Sequence, residues 1–289
     1  MHAVFRPGAT ALITGAASGI GLATAKLCYS QGMNLILGDV NEEALSAATT
    51  ALPSNPNNKT STFVFDVSSL SDWKRLQEYV CSTHPDGIDF LMLNAGVSHR
   101  PAAEKTPWTD PEYFQKTFAV NTFGYTNGIA TFIDSITRDK TTPRAIVLTG
   151  SKQGITNPPG NPAYNASKSA VKTIAEHLSF SLHESNPNVT VHLLVPGFTY
   201  TGLVAQYFPS KPDGAWTSEQ VVSFMSGKMA QGVFYILCPD NEVTEDLDQR
   251  RIAWAYGDMI HGRPALTRWR SDWKEKAAEG IEAMKGEKP

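Results

Sequence analysis

The sequence has little cysteine, no long apolar run and almost no net charge, and each lack excludes a class of protein. The three cysteines lie far apart without a Cys-x-x-Cys or metal-ligand spacing, which argues against a disulfide scaffold or a metal site and favours the cytoplasm. No apolar run reaches membrane-spanning length, and the first residues lack the apolar core of a signal peptide. A net charge of −3 indicates neither a nucleic-acid nor a membrane partner. The 289 residues suffice for one large domain or two small ones.

What the sequence does contain is an alternation of short apolar runs with amphipathic stretches. The apolar runs predict strands at 10–14, 34–38, 61–65, 88–93, 144–148, 189–195 and 232–239. Helices are predicted between them, the two longest over 110–137 and 161–185, and a turn-rich surface loop over 53–59. This alternation predicts an α/β protein with a doubly wound parallel sheet between two layers of helices.

The first strand leads into a glycine-rich turn and then a helix. The turn reads Thr14-Gly15-Ala16-Ala17-Ser18-Gly19-Ile20-Gly21. Glycines in this setting provide a tight turn, a close approach of backbone to pyrophosphate and close packing of helix on sheet. The start of the helix offers free N–H groups and the positive end of its dipole to phosphates. The position between strand and helix favours a dinucleotide site over a purely structural turn.

The second strand ends at Asp39, about 20 residues after the glycine-rich turn. A carboxylate here accepts hydrogen bonds from the hydroxyls of the adenosine ribose and repels a 2′-phosphate. Neither Val40 nor Ser18 supplies the basic side chain that would attract that phosphate. The alternative is that Asp39 caps the next helix, but Asn41 can do this itself. NAD is therefore favoured over NADP as the cofactor.

Three side chains suited to proton transfer follow the fifth predicted strand. Ser151 lies just past its carboxyl end, and Tyr164 and Lys168 are four residues apart on a predicted helix, hence on one face. A phenol has a pKa of about 10, and one ammonium about 4 Å away supplies roughly the 4 kcal/mol that would bring it near neutrality. A Tyr-x-x-x-Lys pattern alone also fits a surface tyrosine on a lysine stem, so the upstream motifs decide.

In this order the motifs resemble the short-chain dehydrogenase/reductase family, a single-domain Rossmann fold. The resemblance spans about residues 9–240. It is carried by the glycine-rich turn, Asp66-Val67, Asn94-Ala95-Gly96, Asn121, Ser151, Tyr164-x-x-x-Lys168, and Pro196-Gly197 with Thr201. The separation of 13 between Ser151 and Tyr164 also fits the family. The resemblance therefore implies a role for each residue that matches a family motif.

The resemblance implies that Tyr164 is the general acid/base, that Lys168 lowers its pKa and binds the nicotinamide ribose, and that Ser151 positions the substrate oxygen. Asn121 would support a proton relay through water, although a buried amide on a helix is more often structural. The implied cofactor-binding residues, with no metal, are Gly15, Ser18, Gly19, Ile20, Gly21, Asp39, Val40, Asp66, Val67, Asn94, Ala95, Gly96, Tyr164, Lys168, Pro196, Gly197, Thr199 and Thr201. Among them, Asp66 would contact adenine, and the last two would hold the nicotinamide carboxamide.

Three features depart from the family pattern: Thr199, Lys152 and the C-terminal extension. Thr199 replaces the usual Val or Ile, and Lys152 directly after Ser151 is unusual and could alter the local charge or the substrate. The domain expected over 1–240 includes an apolar substrate loop at 198–216, which either closes over an apolar ligand or covers the sheet edge. A helical extension is expected over 241–289, with one helix at 241–259 and a second through Trp269, Trp273 and Ala277. It would pack on its own domain or on a neighbouring subunit.

The predicted function is hydride transfer between NAD, with NADP second, and an apolar or aromatic secondary alcohol or ketone. Two alternatives remain: a dinucleotide-binding sensor without redox chemistry, and an isomerase or dehydratase of the same fold. The resemblance also implies a homodimer or homotetramer that pairs the two longest helices across a two-fold axis. The tail tryptophans would add apolar surface for a subunit contact.

Overall fold

The computed structural model describes residues 1–53 and 58–286, so most of the loop predicted at 53–59 lies outside the described residues. Its strands are β1 Thr10–Thr14, β2 Asn34–Asp39, β3 Thr60–Val64, β4 Phe90–Leu93, β5 Arg144–Thr149, β6 Val189–Val195 and β7 Tyr235–Leu237. They form one parallel sheet in the order β3-β2-β1-β4-β5-β6-β7. The helices are α1 Gly19–Ser30, α2 Glu42–Thr50, α3 Leu70–Thr83, α4 Pro111–Phe118, α5 Gly124–Thr137, α6 Gln153–Thr156, α7 Pro162–Ser185, α8 Gly202–Ala205, α9 Ser218–Ala230, α10 Glu245–Ile260 and α11 Lys274–Ala283.

The sheet lies between two apolar cores, as a doubly wound fold requires. Alternate residues of β1 divide between them: Ala11 and Ile13 belong to the core shared with α1 and α9, and Leu12 to the core shared with α3, α5 and α7. Strands buried on both faces read as continuous apolar runs, which is why the sequence showed them clearly. The predicted three-layer α/β fold with a helical C-terminal region is confirmed.

The strand order reverses between β1 and β4, and this reversal creates a crevice at one edge of the sheet. β1 pairs with β2 on one side and with β4 on the other, although β2 and β3 come between them in sequence. The connections leaving β1 and β4 run to opposite faces of the sheet and open a crevice at the carboxyl ends of the strands. The glycine-rich turn after β1 and the segment after β4 therefore face each other.

Two asparagine caps set the starts of helices near this crevice. The Asn41 side chain accepts from Ala44 N at 3.0 Å at the start of α2, as the sequence indicated. The Asn161 side chain accepts from Tyr164 N at 3.2 Å, and Pro162 occupies the first turn of α7. A cap that binds an otherwise unpaired N–H stabilises the first turn and fixes where the helix begins. The second cap thus sets the position of Tyr164.

The single helix predicted over 110–137 is interrupted by a π-helical turn at Ala119–Phe123. Gly124, just after this turn, packs closely against Val67: an added Cβ would lie 2.8 Å from the Val67 side chain. Inside the turn, the Asn121 amide pairs with the backbone of Val97. Wide turns of this kind occur often at functional sites because they redirect backbone groups. The hydrophobic pattern of a continuous helix does not reveal such a turn.

The C-terminal extension folds around Trp254 of α10. The Trp254 indole donates to Thr267 Oγ1 at 2.8 Å, and the Arg263 guanidinium lies 3.8 Å from its ring centroid. Trp269 and Trp273 lie in two 3₁₀ turns, Thr267–Trp269 and Ser271–Trp273, so the predicted second helix starts later than expected, at α11. The Trp269 indole donates to Thr156 O, which seats the extension on α6 of its own chain. Within the described ranges, no helix has the length and apolarity needed to cross a membrane.

Candidate active site

One cavity of about 910 Å³ occupies the crevice at the carboxyl edge of the sheet. Every site residue predicted from the sequence lines it except Gly21 and Asn121. Gly21 lies beneath the glycine-rich turn, where an added Cβ would be 2.1 Å from Gly15 O, so its part is close packing of helix on loop. The sheet topology therefore gathers motifs that are spread over almost 190 residues of sequence, from Gly15 to Thr201, into one place.

The glycine-rich turn forms a cradle that side chains would fill. Gly15 and Gly19 have φ angles of +63° and +54°, which favour glycine. An added Cβ at Gly15 would lie 2.9 Å from Ala95 Cα, so the segment after β4 presses directly on the turn. The Asn94 amide donates to Thr14 O at 3.1 Å and so links the two segments. A close-packed turn that leads into the N-terminus of α1 fits the pyrophosphate of a dinucleotide.

The Asp39 carboxylate lies at the far end of the cavity from Tyr164, at the end of β2. Its Oδ2 accepts from Ala17 N at 3.0 Å and its Oδ1 from Asn41 N at 3.1 Å. The side-chain cap of α2 is Asn41, so Asp39 is not needed for that role. Val40 beside it is exposed, and neither the turn at 15–20 nor residues 39–40 include a basic side chain. The adenosine end of the cavity therefore carries an anionic group without a neighbouring cation in these two segments.

Ser151 and Tyr164 lie together at the other end of the cavity. Burial raises the pKa of the Tyr164 phenol, and its hydrogen bond with Ser151 opposes part of that rise. The phenol is therefore protonated at neutral pH in this structure. The expectation that Lys168 alone lowers the pKa of Tyr164 is not what the structure shows, because loss of hydration penalises the phenolate more than any neighbour stabilises it.

The Lys168 side chain explains this outcome, because its ammonium is held by other groups. It is 3% exposed and donates to Thr149 O at 2.8 Å and to the Tyr125 hydroxyl at 3.3 Å. Its Nζ lies 5.9 Å from the centroid of the Tyr164 ring. Burial lowers the pKa of Lys168 to about 7. Lys168 is thus close to Tyr164 but only partly charged near neutrality.

Asn121 is fully buried, and its side-chain amide forms hydrogen bonds with other protein groups. The side-chain oxygen accepts from Val97 N at 2.8 Å, and the nitrogen donates to Val97 O and to Ser167 Oγ, both at 3.0 Å. These bonds fit the structural interpretation of the side chain. The Asn121 side-chain oxygen and the Lys168 ammonium both approach Gly96, where an added Cβ would lie 3.4 Å and 3.6 Å from them.

Tyr125 and Arg100 are two groups at the site that the sequence interpretation missed. Tyr125 is buried and its hydroxyl donates to Thr149 O at 3.1 Å while it accepts from Lys168. It follows Asn121 by four residues on the same predicted helix, and that spacing was the available signal. Arg100 lies at the cavity mouth, where its Nε donates to the Tyr207 hydroxyl at 3.3 Å. This bond links the segment after β4 to the substrate loop.

The side chains of the substrate loop divide between the cavity and the apolar core. Phe198, Leu203, Tyr207 and Phe208 line the cavity. Trp216 instead packs against Phe224 with the rings 5.8 Å apart and covers the core beneath the loop. The cavity wall near Ser151 is therefore mainly apolar, with Arg100 at its mouth. In the described part of the chain, no group of three or more His, Cys, Asp or Glu side chains is arranged to hold a metal ion.

The buried ammonium predicts a pH-dependent effect of Lys168→Met on stability. The lysine of the unfolded chain keeps its proton up to about pH 10.4, whereas in the folded chain the pKa is about 7. Between these values the unfolded state binds more protons, so the wild type gains stability as pH rises. We expect the free energy of unfolding of Lys168→Met, relative to wild type, to fall by about 1 kcal/mol per pH unit across this window. Urea unfolding at pH 6.5 and pH 9 measures it.

Lys172→Met serves as the control for this experiment. Lys172 lies on the same helix in a partly exposed pair with Glu176, so its effect should be nearly the same at both pH values. A pH-independent difference for Lys168→Met would contradict the assignment of a desolvated ammonium at the site.

Comparisons with known proteins agree with the fold. The family model described as short chain dehydrogenase matches residues 9–212. An uncharacterized oxidoreductase, Lmo0432, of Listeria monocytogenes is 29% identical over 210 residues, which are 72% of this chain and 81% of the relative. The 3-oxoacyl-[acyl-carrier-protein] reductase FabG of Rickettsia prowazekii is 30% identical over 196 residues, 66% of this chain and 73% of the relative.

A crystal structure of a short chain dehydrogenase/reductase from Burkholderia phymatum in complex with NAD superposes with a TM-score of 0.74. It is 25% identical and covers 91% of this chain and 98% of its own. The family match covers more than half of the sequence and spans the glycine-rich turn, Ser151, Tyr164 and Lys168. The chain therefore belongs to the short-chain dehydrogenase family.

Proposed function

We propose that this nicotinamide-dependent oxidoreductase uses NAD to interconvert a secondary alcohol and a ketone with apolar or aromatic substituents. The observation that carries the proposal is the cavity itself, in which Ser151 and Tyr164 lie beside Lys168 at one end and Asp39 at the other. The apolar side chains of the substrate loop flank the first end. They favour an uncharged substrate over a phosphorylated one.

The residues present fit the cofactor along the whole crevice. The glycine-rich turn and the start of α1 would hold the pyrophosphate, Asp39 the adenosine ribose, and Asp66 the adenine edge. Lys168 would hold the nicotinamide ribose, and the backbone at Thr199 with Thr201 would hold the carboxamide. The nicotinamide supplies the chemistry of hydride donation or acceptance when bound.

In the direction of reduction, the substrate carbonyl accepts hydrogen bonds from the Ser151 and Tyr164 hydroxyls. As hydride reaches the carbonyl carbon, the carbonyl oxygen takes the proton of Tyr164, which yields the alcohol and a phenolate. Lys168 stabilises that phenolate and is positioned by Thr149 O and Tyr125. Oxidation runs through the same groups in reverse. Because burial keeps Tyr164 protonated, the structure is prepared for the donor role at neutral pH.

The two alternative functions have less support. A sensor without redox chemistry would not require the complete set of Ser151, Tyr164 and Lys168 in one cavity. An isomerase or dehydratase of this fold would use the same residues, but no observation favours it. Product analysis with labelled cofactor separates these possibilities.

We also propose that the chain forms a homo-oligomer, but on different apolar residues from those that the sequence suggested. Trp254 is buried within its own chain, whereas Trp269 is 38% exposed although its indole donates to Thr156 O, so the tail tryptophans supply only part of the apolar surface expected of them. Phe180 on α7 and Phe123 just before α5 are instead 82% and 57% exposed, and a subunit contact would cover them. Sedimentation at low micromolar concentration should show a dimer or tetramer. An active monomer would contradict this proposal.

Tyr164→Phe tests the proposed chemistry. The substitution removes the transferable proton but keeps the ring, so we expect kcat to fall by about 10²- to 10⁴-fold while NADH still binds. Steady-state turnover and a fluorescence titration with NADH measure the two effects. Tyr256→Phe on α10, outside the cavity, is the control and should keep normal turnover. Near-normal turnover of Tyr164→Phe would remove it as the acid/base.

A second pair of substitutions tests the choice of NAD. Asp39→Asn keeps a side-chain oxygen as an acceptor for Ala17 N but removes the charge that repels a 2′-phosphate. Combined with Val40→Arg, it should lower the ratio of kcat/KM for NAD to that for NADP by about tenfold or more, because a new cation meets the phosphate. Equal efficiency of the wild type with both cofactors would overturn the assignment.

A further inference from the structure

Lys152, directly after Ser151, is buried between two carboxylates, Asp240 at the end of the domain expected over 1–240 and Asp248 in the C-terminal extension. Its Nζ lies 3.3 Å from Asp240 Oδ2 and also contacts Asp248 Oδ2, and the three side chains are 16%, 6% and 5% exposed. Asp240 follows β7 and Asp248 lies in the first turn of α10. A charged group this well buried is stable only when it is paired. The segment that carries Ser151 is therefore joined to the extension by an ion cluster.

Asp240 also holds the start of the substrate loop. Its Oδ2 accepts from Phe198 N at 3.1 Å, and its Oδ1 accepts from Glu242 N and Val243 N. Gly197 allows this close approach, because an added Cβ would lie 2.7 Å from Lys152 Nζ and 2.8 Å from Asp240 Oδ2. The Pro196-Gly197 motif thus lies directly on the ion cluster.

Asn241, the next residue, holds the other end of the same loop. Its backbone N donates to Gly214 O at 3.1 Å, and its side chain donates to Asp213 O and to Ala215 O. The two ends of the loop also pair with each other through a single β-bridge between Thr199 and Trp216. Two consecutive residues where the domain meets the extension, Asp240 and Asn241, therefore hold both ends of the loop whose aromatic side chains line the cavity.

The extension reaches the Ser151 segment at a second point. Lys152 is the residue before α6, and Thr156 at the end of α6 accepts from the Trp269 indole at 2.8 Å. The extension thus contacts both ends of this short helix. We use the name Lys152 junction for Lys152, Asp240, Asn241 and Asp248.

We propose that Lys152 is a positioning residue that sets the substrate loop relative to Ser151 by binding Asp240, which holds the loop, and Asp248 of the extension. The extension is then part of what shapes the substrate site. The proposal rests on the proposed function, in which Ser151 holds the substrate oxygen and the loop holds its apolar part.

Removing the ammonium affects the two carboxylates differently. Asp240 retains its three backbone N–H donors. Asp248 loses its cation in a site where burial already raises its pKa. The first turn of α10 is then expected to shift away from Lys152, and Asp240 and the start of the loop with it.

Lys152→Met tests the positioning role by steady-state kinetics with the wild type's best ketone. We expect the ketone KM to rise and kcat/KM for the ketone to fall by about 10- to 100-fold, because a small misplacement of the reacting groups is costly. The KM for NADH should rise less than the KM for the ketone, because the adenosine and pyrophosphate contacts lie elsewhere and only the carboxamide contacts at Thr199 and Thr201 belong to the loop.

Lys228→Met is the matched control. Lys228 also joins the catalytic part of the chain to α10, through Glu245 at 3.0 Å, but touches neither Ser151 nor the substrate loop. It should leave both KM values unchanged. An equal rise of the ketone KM in both variants would mean that any loosening of the extension suffices, and would overturn the specific role of Lys152.

The double variant Lys152→Met/Asp248→Asn separates position from stability. Replacing the stranded carboxylate by an amide should recover the melting temperature lost in Lys152→Met, because no unpaired charge remains. The ketone KM should stay raised, because the link to the extension is still absent. If the double variant regains the wild-type ketone KM, Lys152 serves only to neutralise charge and the proposal fails.

Hydrogen exchange gives a readout that needs no turnover. Amides of 197–216 should exchange faster in Lys152→Met than in wild type or Lys228→Met, while those of 10–39 remain unchanged. A wild type that reduces no ketone, with this difference present, would refute the proposed function and leave the junction intact. If the amides of 197–216 exchange at the wild-type rate in Lys152→Met, Lys152 does not position the substrate loop, whichever substrate the enzyme uses.

Discussion

One buried ammonium organises the chemistry of this protein. Lys168 is removed from water by α7 and the sheet, and the carbonyl of Thr149 and the hydroxyl of Tyr125 partly replace its hydration. Neighbouring features then fit around it: the π turn redirects the helix that carries Tyr125, and Gly96 leaves room between Asn121 and the ammonium. The burial that lowers the pKa of Lys168 also raises that of Tyr164. A further positive group in the crevice, such as an oxidised nicotinamide, would favour the phenolate and so lower the pKa of Tyr164.

The sequence predicted the fold because most of its strands are buried on both faces and its turns carry distinctive residues. Gly15, Asp39 and Tyr164 were placed in one cavity correctly because each follows a predicted strand or begins a predicted helix near the same sheet edge. The substrate loop was ambiguous because its aromatic residues divide between cavity wall and core cover, as Tyr207 and Trp216 show. A linear sequence does not assign faces to a segment without regular periodicity.

Other features were missed because they depend on contacts between distant segments. The pKa of Tyr164 was misjudged because the partners that hold Lys168, Thr149 and Tyr125, are defined only by packing. Lys152 is unusual for the family, but its carboxylates lie 88 and 96 residues further along the chain, Asp240 at the end of the region that resembles the family and Asp248 beyond it. The extension is thus the part of the site that the sequence revealed least.

In the proposed function, this cavity transfers hydride to a carbonyl carbon while Tyr164 supplies the proton. We would test both steps with NADH labelled with deuterium at C4 of the nicotinamide, in a reaction with an aromatic ketone followed by mass spectrometry of the alcohol. With deuterium at both C4 positions, the product should carry one deuterium, on the carbinol carbon, and the alcohol should form about 10²- to 10⁴-fold more slowly when Tyr164 is replaced by phenylalanine. Alcohol without the label, or conversion of a substrate without oxidation of NADH, would contradict the claim.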